Sequence, residues 1–182
     1  INAEAERAAD LISDLLDLSR VEGAVKHRAE QVEVAHVVAE AVGRVRAAAD
    51  DRGIRIVERG DGSALAVVGD SGQLVSALAN LLDNAVKYSD PGSSVDVEML
   101  TGHGTVELRV VDRGIGIPAR DHERIFERFY RVDRARSRET GGTGLGLAIV
   151  RHVAMNHGGR VTVESREGEG STFTLTIPVE AR

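Results

Sequence analysis

The chain contains no cysteine and no tryptophan, and only three Phe and two Tyr occur among its 182 residues. Without cysteine, disulfides, thiolate metal sites and cysteine nucleophiles are excluded. Because aromatic side chains are so scarce, Val, Leu, Ile and Ala must supply most of the core. A hydrophobic share of 42% and a charged share of 29% are those of a globular domain.

Positive charge is also in short supply, since 23 Lys and Arg stand against 29 Asp and Glu, for a net charge of −6. A domain that binds nucleic acid carries a clustered excess of Lys and Arg. The run 131–138 is the one local excess, and we interpret it as a loop whose best functional use is to neutralise a triphosphate. We therefore expect no nucleic-acid partner.

Long apolar runs are absent as well, because no stretch approaches the roughly 20 residues that a membrane-spanning helix needs. No signal-peptide pattern opens the chain. The sequence begins at Ile1, without an initiator Met and already within a helical pattern. We therefore expect a piece cut from a longer protein, with a membrane anchor still possible upstream.

Hydrophobic periodicity predicts an N-terminal helix over residues 1–22, a linker over 23–30 and one folded unit over 31–182. The predicted helices of that unit are 34–52, 71–88 capped by Asp70, and 145–157. Its predicted strands lie at 54–56, 65–68, 95–99, 106–110, 161–163 and 173–177. This order predicts an α+β fold in which one layer of helices covers one largely antiparallel sheet.

Polar residues crowd one side of the helix predicted over 71–88. They include Asn80, Asn84 and Lys87, whereas the opposite side is formed by leucines and Ala85. Asn is a weak helix former, so two of them four residues apart need a reason. An amide oxygen is a suitable Mg²⁺ ligand, and Lys87 could bind phosphate one turn away. The alternative is a solvated polar face.

Two glycine-containing segments follow. The first comes directly after an apolar strand and contains Asp112, Gly114 and Gly116. Glycines admit a ligand close to the backbone, and Asp112 can accept a hydrogen bond from an exocyclic amine. The alternative is an ordinary turn that ends the strand.

The second segment, 141–147, leads into a helix N-terminus, which favours phosphate binding. It lacks the Lys of a Walker loop and the preceding strand of a Rossmann turn, and a flexible hinge is its alternative.

Four segments in this order resemble the N, G1, F and G2 boxes of sensor histidine kinases. They are Asn80-Leu-Leu-Asp-Asn-Ala-Val-Lys-Tyr88, Asp112-Arg-Gly-Ile-Gly-Ile-Pro118, Ile125-Phe-Glu-Arg-Phe-Tyr-Arg131 and Gly142-Thr-Gly-Leu-Gly-Leu-Ala148. The match extends over about residues 30–180, including the closing Gly170-Ser-Thr-Phe-Thr-Leu hairpin. The resemblance implies a two-layer α/β sandwich of the GHKL superfamily, with a mixed, mostly antiparallel sheet, helices on one face, and ATP between the Asn helix and a lid.

The resemblance also implies residue roles. Asn84 would coordinate Mg²⁺, Asn80 would support the phosphates and the metal site, and Lys87 would contact phosphate, so these three form the catalytic set. Asp112 would bind the adenine amino group. The residues implied to bind ATP are Asn80, Asn84, Lys87, Tyr88, Asp112, Gly114, Gly116, Ile117, Phe126, Phe129, Arg131, Gly142, Thr143, Gly144, Leu145, Gly146, Leu147 and Thr172.

Two departures from the family pattern bear on the reaction. ATP-hydrolysing members of the superfamily carry a Glu four residues before the metal-binding Asn, and this chain has Asn80 there. Without that general base, transfer to an acceptor is favoured over hydrolysis. No His of this chain has the context of the phosphoacceptor His, and residues 1–22 resemble only the second helix of the hairpin that carries it.

We therefore expect an ATP-dependent protein-histidine kinase domain that acts with Mg²⁺ and cannot phosphorylate its own usual site. Its expected partners are the His-containing hairpin of the parent kinase and a response regulator. The parent would be a homodimer anchored in the bacterial membrane, with this domain in the cytoplasm. The alternative is an ATP- or ADP-sensing regulatory module that acts through protein contacts.

Overall fold

The computed structural model of the chain describes residues 2–23, 30–60, 65–132 and 142–179. Within these ranges, the predicted helices and strands occur in the predicted order, together with one further strand, Glu30–Glu33. The helices are α1 (Asn2–Glu22), α2 (Val34–Asp51), α3 (Ser71–Tyr88) and α4 (Gly146–Asn156), with short 3₁₀ turns at Ala119–Asp121 and Arg124–Phe126. The strands are β1 (Glu30–Glu33), β2 (Arg55–Arg59), β3 (Ala66–Gly69), β4 (Ser94–Thr101), β5 (Thr105–Asp112), β6 (Arg160–Arg166) and β7 (Gly170–Pro178).

The main sheet has five strands in the order β2-β4-β5-β7-β6. Strand β2 runs parallel to β4, and every other neighbouring pair is antiparallel. Helices α2, α3 and α4 pack on one face of this sheet. The α+β class, the helices on one face and the mixed, mostly antiparallel sheet are therefore confirmed.

Alternation along the strands explains why only one face is covered, since successive strand side chains point to opposite faces. One row across the sheet joins Val97, Val110, Phe173 and Val163, and its members face the helices. The neighbouring row contains Arg109 and other polar residues and forms the outer face. The core is aliphatic, as the scarcity of aromatic residues requires.

Helix α3 positions most of the polar side chains of interest. Its first turn is capped by Asp70, whose Oδ1 accepts a hydrogen bond from the Gln73 backbone N–H at 3.0 Å. Leu74, Leu78 and Leu81 are fully buried on its core-facing side. The predicted cap and extent of this helix are confirmed.

Strand β1 was not predicted, and it begins at Glu30, the last residue of the expected linker. Only Val32 among its four residues is buried, so the strand has no apolar alternation to reveal it. It pairs with β3 in a separate two-stranded antiparallel sheet, with Glu30 opposite Gly69. The predicted helices otherwise agree with the observed ones to within about two residues at each end, which is the usual uncertainty of helix boundaries.

Helix α1 packs against α4 through its C-terminal half, where Leu18 and Val21 are buried. Four large apolar side chains of α1 remain exposed: Leu11, Ile12, Leu15 and Leu16. Within the described ranges, no helix combines the length and apolar character that crossing a membrane requires.

Candidate functional site

A cavity of about 610 Å³ opens between α3, the N-terminus of α4, the ends of β5 and β7, and the segment that follows β5. Its volume falls within the range of small-molecule sites. Most of the predicted site residues line it: Asn80, Asn84, Lys87, Tyr88, Asp112, Gly116, Ile117, Arg131, Gly142, Thr143, Gly144, Gly146 and Leu147. Segments far apart in the sequence thus meet at one cavity.

Five predicted site residues do not line the cavity. Leu145 is fully buried, and Phe126 packs edge-on against Phe173, a lining residue, with ring centroids 6.4 Å apart. Thr172 precedes Phe173 in β7 and lies between β5 and β6. All three lie next to lining residues, and their contact with ATP stays a prediction.

Gly114 and Phe129 complete this group. A Cβ at Gly114 would lie 2.2 Å from the backbone oxygen of Tyr88, so glycine is required where the chain passes the end of α3. Phe129 is 58% exposed and has φ 61°. Its N–H donates to the Gly144 carbonyl at 2.9 Å, which ties the aromatic segment to the glycine loop.

Asp112 forms the acidic end of the cavity. Its Oδ1 accepts hydrogen bonds from the backbone N–H of Gly114 at 2.9 Å and of Ser171 at 3.2 Å. Burial raises the pKa of Asp112, and the hydrogen bonds from Gly114 and Ser171 only partly offset that rise. The carboxylate is thus fixed in orientation and retains acceptor capacity for a ligand amine.

Arg113, the next residue, anchors the turn on the other face of the sheet. Its guanidinium donates to Asp96 Oδ2 at 2.8 Å and to Ser94 Oγ at 2.7 Å, while Arg59 binds Asp96 Oδ1 at 3.1 Å. Burial on its own raises the pKa of Asp96, but the two guanidinium groups outweigh it and the pKa is lowered. This cluster holds the end of β5 against β4.

Asn80 joins α3 to the beginning of α4. Its Nδ2 donates to the Ser76 carbonyl at 2.9 Å, which fixes the amide orientation. A Cβ added to Gly146 would lie 2.7 Å from Asn80 Oδ1, so Gly146 lets the two helices approach. The predicted supporting role of Asn80 is consistent with this position but remains a prediction.

Lys87 and Asp83 form an ion pair on the cavity wall, with Nζ 2.6 Å from Oδ2. Asn84 lies beside them and presents an amide side chain to the cavity. Amide and carboxylate oxygens are the hard ligands that Mg²⁺ prefers, usually together with phosphate oxygens of a bound nucleotide. No cluster of three or more His, Cys, Asp or Glu suited to a metal occurs in the described ranges. The few protein oxygens here suit an ion whose remaining ligands are phosphate oxygens.

The glycine loop, defined here as Gly142–Gly144, runs directly toward the N-terminus of α4. Gly144 has φ 75°, and a Cβ there would lie 2.9 Å from Phe129 Cα, so the residue must be glycine. Unpaired N–H groups and the helix dipole make such a terminus favourable for anions. Arg131 also lines the cavity, whereas 133–138, the rest of the arginine-rich run, lies outside the described residues.

Tyr130 is a lining residue to which the sequence assigned no role. Its hydroxyl donates to Asp121 Oδ1 at 2.6 Å, and the Arg124 guanidinium carbon lies 4.3 Å from the ring centroid. The hydrogen bond to Asp121 raises the pKa of Tyr130. These contacts hold Tyr130 at the cavity wall, and the only sequence signal for Tyr130 was its place in the segment that resembles the F box.

Ser171 and Asp14 were also missed. Ser171 lies opposite Asp112 in the β5–β7 register, which no local pattern reveals. Asp14 reaches the cavity from α1, where its carboxylate accepts a hydrogen bond from the Thr143 hydroxyl. Both residues depend on contacts between segments distant in the chain.

Comparison with known proteins identifies similar chains. Residues 69–181 match the family model described as histidine kinase-, DNA gyrase B- and HSP90-like ATPase. The Sensor-like histidine kinase SenX3 of Mycolicibacterium smegmatis is 51% identical over 177 residues, which cover 97% of this chain and 46% of SenX3. This chain therefore spans less than half the length of that relative.

Two solved structures are also similar. The mycobacterial sensor histidine kinase MprB is 34% identical with a TM-score of 0.70, and the match covers 82% of this chain and 97% of the MprB chain. Full-length ShkA in complex with AMPPNP is 26% identical with a TM-score of 0.80, over 98% of this chain and 38% of ShkA.

Proposed function

This chain belongs to the histidine kinase-, DNA gyrase B- and HSP90-like ATPase family, as the ATP-binding domain of a sensor histidine kinase, and from this premise we propose its reaction and the roles of its residues. We propose that the domain binds Mg·ATP and transfers the γ-phosphoryl group to a histidine on another segment of the parent kinase. ADP is the leaving group. The observation that carries the proposal is the meeting of an oriented carboxylate, a polar helix face and a glycine loop at one cavity.

At the acidic end, Asp112 would accept the hydrogen bond of the adenine amino group. Two backbone N–H donors hold its carboxylate in place before any ligand arrives. Guanine presents an oxygen at the corresponding position, which would face the carboxylate without a proton between them. The site is therefore expected to prefer adenine nucleotides.

At the other end, the triphosphate would lie along α3 and the N-terminus of α4. Lys87 would exchange Asp83 for a phosphate oxygen, and Asn84 would ligate Mg²⁺ together with the phosphates. The ion would neutralise charge on the triphosphate. Phosphoryl transfer needs chiefly positioning and charge neutralisation, and these side chains supply both.

Transfer rather than hydrolysis follows from the position of Asn80. Its amide nitrogen donates a hydrogen bond to the Ser76 carbonyl, and its amide oxygen lies next to Gly146. An amide cannot act as a general base toward water. Asn80 thus supplies no base at the position where ATP-hydrolysing members of the superfamily carry a Glu, and we propose that the acceptor brings its own nucleophile. An imidazole nitrogen of a histidine is such a nucleophile.

The setting of the reaction is part of the proposal. We propose that the acceptor His lies on the hairpin to which α1 belongs, that the parent is a membrane-anchored homodimer, and that the phosphoryl group passes on to an Asp of a response regulator. The relatives are named Sensor-like histidine kinase SenX3 and mycobacterial sensor histidine kinase MprB, and these names support a histidine acceptor.

Phosphoryl transfer in trans tests the proposal. The chain would be mixed with ATP labelled in the γ position, Mg²⁺ and the separately purified His-containing hairpin of its parent protein. Acid-labile, base-stable label on the hairpin is expected, and it should disappear with Asn84→Ala or with a hairpin whose His is replaced. Sustained absence of label, with nucleotide binding intact, would overturn the kinase assignment and leave a nucleotide-sensing module.

A further inference from the structure

Helix α1 contributes to the candidate site although it lies outside the segment 69–181 that the family model matches. Ser13 and Asp14 line the cavity. The helix is held near it by Leu18 and Val21, which are buried, and by a hydrogen bond from Asn156 Nδ2 to the Val21 carbonyl at 3.0 Å. The position of α1 and the shape of the cavity are therefore physically connected.

One contact between α1 and the glycine loop involves the Thr143 hydroxyl group. Thr143 Oγ1 donates its proton to the Asp14 carboxylate and accepts the Leu145 backbone N–H at 3.2 Å. A threonine hydroxyl has only one proton to donate. While Asp14 holds that proton, Thr143 cannot donate it to a phosphate oxygen in the glycine loop.

We infer that Asp14 and a nucleotide phosphate compete for the Thr143 hydroxyl, so that docking of α1 and nucleotide binding oppose each other. The inference rests on the proposed function, because it places the phosphates at the glycine loop. The Asp14 carboxylate also repels the phosphates, which acts in the same direction. Hydrogen bonds to charged groups are stronger than those between neutral groups. Loss of the Asp14 hydrogen bond should therefore have a measurable effect on phosphate binding, and phosphate binding a measurable effect on the docking of α1.

Thermodynamic linkage makes the coupling reciprocal. If docked α1 weakens nucleotide binding by some factor, bound nucleotide weakens the docking of α1 by the same factor. The docking of α1, which we propose to be part of the His-containing hairpin, is thereby weakened when ATP enters. Asp14 is thus a residue that regulates the site without being required for phosphoryl transfer.

The first experiment needs no nucleotide. Hydrogen–deuterium exchange of α1 would be compared between the parent chain and Asp14→Ala, with Asp51→Asn as a control that removes one exposed negative charge from α2. Faster exchange in α1 is expected for Asp14→Ala alone, since one of the docking contacts is lost. Equal exchange in all three chains would overturn the inference, whatever the chain does with ATP.

The second experiment is a double-mutant cycle on nucleotide affinity, measured by calorimetry with Mg·ATP. Asp14→Ala should tighten binding by about fivefold or more, a typical allosteric coupling, and Asp51→Asn should leave it unchanged. In a Thr143→Val background the same Asp14→Ala change should have a clearly smaller effect, because the competition for the hydroxyl is gone and only the charge repulsion remains.

The two experiments separate the possible failures. An equal gain in both backgrounds would show simple charge repulsion and overturn the competition for the hydroxyl, as would unchanged or weaker binding by Asp14→Ala. Complete absence of ATP binding in every folded variant would overturn the proposed function and, with it, the competition. The exchange experiment would then still decide whether Asp14 docks the helix.

Discussion

The ionised Asp112 carboxylate lowers the stability of the folded chain but is suited to bind a ligand. Its pKa is raised by burial, which means that the ionised form is less favourable in the folded chain than in the unfolded one. A ligand amine would offset that cost by hydrogen bonding to the charge. A residue kept in an unfavourable state until the ligand binds is what functional sites commonly contain.

Asp112→Asn is therefore expected to raise the free energy of unfolding near neutral pH while abolishing adenine recognition. The stabilising contribution of the Asp112 carboxyl is present below its unfolded pKa and is lost as pH rises through its higher folded pKa. Asn keeps an amide oxygen for the Gly114 and Ser171 N–H groups and carries no charge. Urea unfolding at pH 7 and at about pH 4 measures this; a less stable variant at pH 7 would contradict it.

Asp96 should behave in the opposite sense. Its pKa is lowered, so its contribution to stability is present above the unfolded pKa and is lost as pH falls through the lower folded value. Asp96→Asn should destabilise the chain at pH 7 and have progressively less effect toward pH 3, because protonation then removes the same charge in the parent. An effect independent of pH would show that Arg59 and Arg113 contribute little through charge.

The sequence was informative about single residues where a motif is local. The polar side of α3, the Asp112 turn and the glycine loop were each recognisable, and they do meet at one cavity. The sequence did not reveal residues whose place at the site depends on strand register or on packing between distant segments. Ser171, opposite Asp112, and Asp14, reaching across from α1, are of that kind.

Among the elements, the turns that bring two backbone segments together restrict the residue type most strongly, because only glycine fits at the close approach. Gly116 has φ 67°, and a Cβ there would lie 2.0 Å from the Arg166 backbone oxygen, where the turn after β5 meets the β6–β7 hairpin. Gly43 is the opposite case, because it lies within α2 and an added Cβ would have no atom within 4 Å apart from its chain neighbours and the nearby backbone of its own helix.

Replacing each of these glycines with alanine should give effects of opposite sign. Gly116→Ala should lower the free energy of unfolding by about 2–4 kcal/mol, from a left-handed φ and a backbone clash that cannot relax by rotating a side chain. Gly43→Ala should raise it by about 0.5–1 kcal/mol, because Gly is unfavourable within a helix. Chemical denaturation measures both, and a tolerated Gly116→Ala would argue against the close approach of these two turns.

Helices α2, α3 and α4 and both antiparallel hairpins were predictable because each carries its own periodicity and its own turn residues. The parallel pairing of β2 with β4 was not, since parallel strands are joined through other elements and their register leaves no local signal. Strand β1 escaped because a short, mostly exposed strand lacks apolar alternation.

For the molecule as a whole, ligand binding and stability are linked. A ligand that binds only the folded chain, present at 100 times its dissociation constant, adds about 2.7 kcal/mol to the free energy of unfolding. For a chain of this size the melting temperature should rise by about 5–10 °C with Mg·ATP. Lys87→Gln should reduce the shift by weakening phosphate contacts; an undiminished shift would argue that Lys87 stays with Asp83.

Nucleotide titration by calorimetry tests the adenine-site assignment most directly. Mg·ATP and Mg·GTP would each be titrated into the parent chain and into Asp112→Asn, with folding verified by circular dichroism. We expect saturable one-site binding of ATP to the parent, no measurable binding of GTP, and a loss of about tenfold or more in ATP affinity for Asp112→Asn. Equal binding of ATP and GTP, or an Asp112→Asn chain that binds ATP as tightly as the parent, would show that Asp112 does not recognise adenine.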